Sequence, residues 1–279
     1  MAKFALRLCT AVLFALGVVA AEECQTAPKI GQFDPSTDNF IAQFDSKTDV
    51  DDLYSVAATA TILRSPGFEC VDYLAVAGTY GIQDGEYAPA PALFTLAFGQ
   101  SWANAHDNRE SAVAMIAAKM GYILDQGGDV WIMEAGQSDF SRDALLATLA
   151  QDATFDTHRV HIVQHSDWNE QMTSPDALEW VKAHTDYIRI PDGNAVGNGS
   201  PGFNTSNAEL WNPLIDDPKL NPLWSDARRI AEKWNGVGYN NPTVAAGGLD
   251  FSDTVEAAYI FGLDDLQTAD DFIARFAGK

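Results

Sequence analysis

Short apolar runs alternate with helix-length amphipathic stretches along most of this chain, and that alternation restricts the fold more than any other feature. The runs are "NFIAQF" (39–44), "VDYLAVAG" (71–78), "VWIMEAG" (130–136), "VHIVQH" (160–165) and "YIRIP" (187–191). Between them, 51–64, 109–126, 141–151 and 175–184 carry the spacing of amphipathic helices. Strands joined by helices of this length form a parallel sheet, because a parallel pair needs a crossover too long for a hairpin. The expectation is a Rossmann-like three-layer α/β domain with a mostly parallel central sheet. Such sheets bind ligands beyond the carboxyl ends of their strands. An acidic cluster follows the first run, "GQSD" the third and "HSDWN" the fourth, so three polar motifs are expected on one edge.

The chain ends and composition bound the setting. Residues 1–21 read as a secretory signal: Lys3 and Arg7, then the apolar "LCTAVLFALGVVA", then the small-residue step "VVAA". The domain is then expected over 22–279, secreted or periplasmic, and off the membrane once the signal is removed, since no later stretch is long and apolar enough to span a bilayer. Loss of the signal discards Cys9 and leaves Cys24 and Cys70. An oxidising compartment favours a disulfide between them; two unpaired buried thiols are the alternative. The formal charge of −22 excludes nucleic-acid polymers and anionic membranes as partners and suits a neutral or cationic ligand, or a metal. Segment 192–243, rich in Gly, Asn and Pro, reads as an elaborated loop region covering the site, with one short helix near 225–235.

Asp45, Asp49, Asp51 and Asp52 crowd the loop after the first strand. Carboxylates this close repel unless water or a cation separates them. An EF-hand loop counted from Asp45 fails, because Val50 and Val56 occupy the places that need Gly and Glu. A D-x-D-x-T phosphatase reading fails at Lys47, which reverses the charge of the second acid. A solvated, helix-capping acidic turn remains open. A hard cation gathers about six to eight oxygens from separate parts of a chain. "GLDFSDTVEAAYIF" supplies Asp253 at another helix start, and "EAGQSDF" offers Ser138, Asp139 and turn carbonyls. Together these make a calcium cage built from three strand ends.

Five stretches, in order, resemble the motifs of the nucleoside hydrolase superfamily. "FDSKTDVDDLYSVAA" is similar to its strand, aspartate-rich loop and helix; "YLAVAGTYG" resembles its second strand, with Thr79 where the family has Asn. "EAGQSDF" looks like its glycine turn, "DWNEQMTSPDALEW" like its E-F-N motif and following helix, and "SDTVEAAY" like its final H-D-P motif. The resemblance implies calcium held by Asp45, Asp52 and Asp253 with a carbonyl at Asp139, or at Ser138 if the turn is shifted. It also implies ribose contacts from Asp51, Asp167 and Asn169, and Asp45 as general base beside a cation-bound water. Homo-oligomerisation is implied by the resemblance alone. Two departures matter: the first loop fits only with two extra residues, and Ser252 replaces a histidine associated with the leaving base. His165 and Trp168 flank the sugar motif; Trp168 reads as rim packing or as a stacking surface. Trp234 and Tyr239 read as a cover over the ligand or as ordinary packing.

The expected activity is calcium-dependent hydrolysis of N-glycosidic bonds in ribonucleosides or related ribosides. The alternative is a calcium-binding relative that holds a sugar or other small ligand without hydrolysing nucleosides.

Overall fold

In the computed structural model, which describes residues 24–47 and 49–277, the sheet is organised around β1 (Asn39–Phe44). The expected signal lies outside the described residues. All of β1 is buried, as a strand covered on both faces must be. It pairs in parallel with β2 (Asp72–Ala77) and β4 (Val130–Ala135), Ile41 lying level with Leu74 and Ile132. β3 (Trp102–Asn104) extends one edge, and β5 (Val160–Gln164) and β6 (Asp186–Arg189) the other. The order is β3-β2-β1-β4-β5-β6, and every pairing is parallel.

Helices cover both faces, which completes the three layers. Alternate side chains of β1 separate the two cores, as strand geometry requires. Phe40, Ala42 and Phe44 pack with α1 (Asp51–Leu63), α2 (Pro91–Phe98), α8 (Asn221–Trp234) and α10 (Val255–Ile260). Ile41 and Ile132 pack with α3 (Arg109–Asp125), α4 (Ser138–Leu149) and α6 (Pro175–His184). Helix α1 is buried around nearly its whole circumference because α8 lies across its outer side, where Trp224 Nε1 donates to Thr61 Oγ1 at 3.0 Å.

The five expected strands and four expected helices all form, most with ends shifted by a residue or two. Helix α4 begins earlier than expected, at Ser138, and β3 and α2 were not anticipated. Segment 192–243 is more structured than its composition suggests. It contains α7 (Trp211–Asp216) and α8, whose Trp211, Leu214, Leu223 and Trp224 enter the first core, and the short α9 (Pro242–Ala245) begins at its end. A two-stranded antiparallel pair, β7 (Asn204–Thr205) with β8 (Leu249–Asp250), pins its start to the acidic C-terminal motif. Cys24 and Cys70 form a disulfide, with Cα atoms 5.2 Å apart, at the amino ends of the strands. No helix among the described residues is long and apolar enough to cross a membrane.

Candidate metal and ligand site

The sheet order reverses between β1 and β4, and such a switch point opens a crevice at the carboxyl ends of the strands. A cavity of about 460 Å³ lies there, floored by Asp45 and Ala135. Asp45 leaves β1 with its backbone N–H donated to the Ala135 carbonyl at 3.0 Å. Two non-glycine residues with left-handed backbone flank this opening. Ser46 (φ 51°) follows β1, and Ser166 (φ 70°) follows β5. Such strain persists only where surrounding contacts enforce it, and it concentrates at functional sites. At Ser46 its effect is visible: the turned backbone N–H donates to Asp52 Oδ2 at 2.7 Å.

Asp51 and Asp52 open α1, and Asp253 comes from the short 3₁₀ turn before α10. One carboxylate oxygen from each lies within 4.8 Å of the others. Two oxygens that each sit about 2.4 Å from a shared calcium can be at most about 4.8 Å apart. The spacing therefore fits a common hard cation. The Asp52 carboxylate adds a second sign of fit, because its Oδ1 is buried and has no hydrogen-bond partner among the described residues. Burial raises all three carboxyls well above the usual range. Asp253 and Asp49 push Asp51 further, Asp45 and Asp253 push Asp52, and His165 partly offsets the rise at Asp253. A bound cation would reverse that balance.

Asp45 borders this trio and is held more firmly. Its Oδ1 accepts from the Lys47 backbone N–H at 2.8 Å, and its Oδ2 accepts from Gln137 Nε2 at 3.0 Å and Gln83 Nε2 at 3.1 Å. Burial raises its carboxyl to about 6 against these stabilising bonds. Gly136 is required beside it: a Cβ there would stand 2.8 Å from Thr79 Oγ1 and 3.2 Å from the Asp45 Cβ.

The remaining expected residues divide. Asn169 is buried and lines the cavity, its Nδ2 donating to the His165 carbonyl at 3.3 Å; Trp168 lines the mouth and is 40% exposed. Asp167, one residue away, is not at the cavity. It points outward and pairs with Arg189 at 2.6 Å, because α5 (Asp167–Met172) turns successive side chains to different sides. Asp139 does not join the cation site either. It lies in the first turn of α4, and its carboxylate accepts from the Ser174 backbone N–H at 3.0 Å and from the Ser174 hydroxyl, at the start of α6. Ser138 is likewise helical and donates to Glu134. The expected glycine turn is thus the start of a helix, whose carbonyls point along its own axis. Thr79 lies beneath the site rather than on it; its backbone bonds to Phe44 and Gln137.

Several lining residues carried too little sequence signal. Asn241 Nδ2 bridges Asp49 (3.2 Å) and Asp250 (2.8 Å), and Asn204 Nδ2 also holds Asp250 at 2.7 Å. These amides come from the Asn-rich segment, where each Asn is also a plausible turn residue. His165 is buried between Glu256 (Nδ1–Oε1 2.6 Å) and Asp253 (Nε2–Oδ1 3.6 Å). Burial lowers its basicity, but Glu256 and then Asp253 outweigh that and carry it up to about 9. Its position at a strand end before "SDWN" was the only available clue.

Fold and site together define a Rossmann-like α/β protein with an acidic crevice at its switch point. Compared with known proteins, the chain matches no family model, no curated sequence and no solved structure.

Proposed function

We propose that this protein is an exported, calcium-dependent hydrolase of N-ribosyl bonds, acting on a nucleoside or related riboside. The observation that carries the reading is the convergence of Asp51 and Asp52 with Asp253, from distant parts of the chain, with a carboxylate oxygen of each within 4.8 Å of the others. An all-carboxylate oxygen set suits a hard cation rather than zinc or copper. Calcium bound there would grip vicinal hydroxyls of the sugar and make a coordinated water more acidic.

The protein's own groups fit the remaining work. Breaking an N-glycosidic bond builds positive charge on the sugar, which the surrounding carboxylates would stabilise. Asp45, fixed by Gln83, Gln137 and the Lys47 backbone, is positioned to accept a proton from an attacking water. Asn169 offers an amide to a sugar hydroxyl from the far wall. The Cys24–Cys70 disulfide supports export to an oxidising compartment.

A second reading is favoured by one observation: Asp167, a sugar contact in the family pattern, faces Arg189 outside the cavity. The crevice would then hold calcium and a sugar-like ligand without turnover. The test is incubation of the purified protein with inosine, uridine and a chromogenic riboside, with calcium and with chelator. Turnover that chelator abolishes and calcium restores is expected. Calcium binding without turnover favours the second reading, and absence of calcium binding overturns both.

A further inference from the structure

The cavity is lined by more carboxylates than one cation and a neutral sugar require. Seven carboxylates line it, and the one lysine among the lining residues, Lys47, has its ammonium 4.5 Å from the centre of the Tyr80 ring. A divalent ion and Lys47 together offset fewer than half of them. His165 is already matched by Glu256 and Asp253. Asp49, Asp192 and Asp250 stand apart from the cation trio and line the same space. Two aromatic side chains, Trp168 and Tyr239, also line it while remaining 40% and 48% exposed. Exposed aromatic faces beside carboxylates recognise flat cations, through the ring quadrupole and through charge. The volume suits a small molecule.

Resting on the N-ribosyl hydrolase reading, we propose that the substrate is a riboside whose leaving group is a flat, positively charged aromatic ring, of the N-ribosylpyridinium class. The chemistry agrees with the groups on hand. When the C1′–N bond of such a riboside breaks, its electron pair returns to the ring nitrogen and the base leaves neutral. Water oxygen bonds to C1′, and the proton it loses passes to a carboxylate and then to solvent. No proton donor to the leaving base is needed. That matches Ser252, whose hydroxyl is donated to Asp250 at 2.9 Å, and His165, whose two nitrogens both face carboxylates.

The experiment measures kcat/KM of the calcium-loaded protein on N-ribosylnicotinamide, N-ribosylnicotinic acid, uridine and inosine, following release of the base by chromatography. N-ribosylnicotinic acid has the same scissile bond but carries an added carboxylate, so it separates recognition of charge from intrinsic reactivity. N-ribosylnicotinamide is expected to exceed each of the other three at least tenfold, and its margin over N-ribosylnicotinic acid should shrink as salt rises. Asp192→Asn should narrow that margin severalfold, and Trp168→Ala should raise KM for N-ribosylnicotinamide more than for uridine. Equal or faster turnover of uridine, inosine or N-ribosylnicotinic acid overturns the substrate class and leaves the hydrolase reading standing. Absence of turnover on all four overturns both.

Discussion

Two groups of carboxylates are buried near the carboxyl ends of the same central strands, and they are built oppositely. Glu134, inside β4, is fully enclosed and fully partnered: Ser138 (2.7 Å), Ser141 and Gln164 (2.9 Å) all donate to it. The trio of Asp51, Asp52 and Asp253 is surrounded by further acids, and one of its buried oxygens has no partner among the described residues. Burial raises the carboxyl of both groups, so a shifted proton affinity does not distinguish structure from site. Satisfaction does. Donors already in place make Glu134 part of the scaffold, whereas the trio is complete only when something positive arrives.

The largest effect that tests this contrast is at Asp253. Asp253→Asn should weaken calcium binding by at least about a hundredfold and remove riboside turnover, since one of three convergent charges is lost. Without calcium, the same variant should melt at or above the temperature of the parent, because mutual repulsion is relieved. Titration calorimetry and thermal melts with and without calcium check both halves. A drop in calcium-free melting temperature would show that the trio is scaffold like Glu134.

Glu134 should behave in the reverse sense. Glu134→Ala strips three buried donors of their acceptor and should cost about 2–3 kcal/mol in urea unfolding. Calcium affinity should change less than about threefold, because Glu134 ligates nothing in the crevice. The pH dependence follows from the same enclosure. Burial raises the Glu134 carboxyl from 4.5 to about 8 in the folded protein. The folded state therefore keeps the proton after the unfolded chain has released it, and stability falls as pH rises from about 4.5 through 8. Asp45 and Asp250, each raised to about 6, contribute in the same direction. Calcium should suppress the contribution of the crevice acids and leave the Glu134 slope, which Glu134→Gln should flatten. A calcium-saturated parent whose stability is level across that range would break the assignment.

How much of this was legible in the sequence follows the strength of the local signal. The strands of the central sheet announce themselves as apolar runs bounded by helix-length gaps, and β1 was placed to the residue. β3 has three residues, too few for any periodicity, and "PALFTLAF" of α2 is apolar on all sides, so its pattern does not distinguish helix from strand. At the site, Asp52 and Asp253 were legible as cation ligands because an acid begins each of two helices, whereas Asp51, expected on the ribose, stands in the trio where Asp45 was expected. Gln137, Asn204 and Asn241 were not, because an amide in a loop looks the same whether it caps a turn or lines a crevice. The turn expected at Asp139 was misread because "GQSD" serves equally as a glycine turn and as the entry to a helix.

The smallest predicted effect separates two residues read from one motif. Asp167 and Asn169 are two residues apart in "SDWN", yet α5 sends the first outward to Arg189 and the second inward to the crevice. Asn169→Ala should raise KM for a riboside by about tenfold or more, because a buried amide facing the ligand is lost and the His165 carbonyl loses a donor. Asp167→Asn removes only an exposed ion pair, and pairs of that kind contribute little. Its kcat and KM should stay within about twofold of the parent at both low and high salt. If Asp167→Asn instead matched Asn169→Ala, α5 would have to turn when ligand binds and bring Asp167 inward. The exposed face of the motif would then belong to the site after all, and crevice and surface could no longer be told apart by the fold alone.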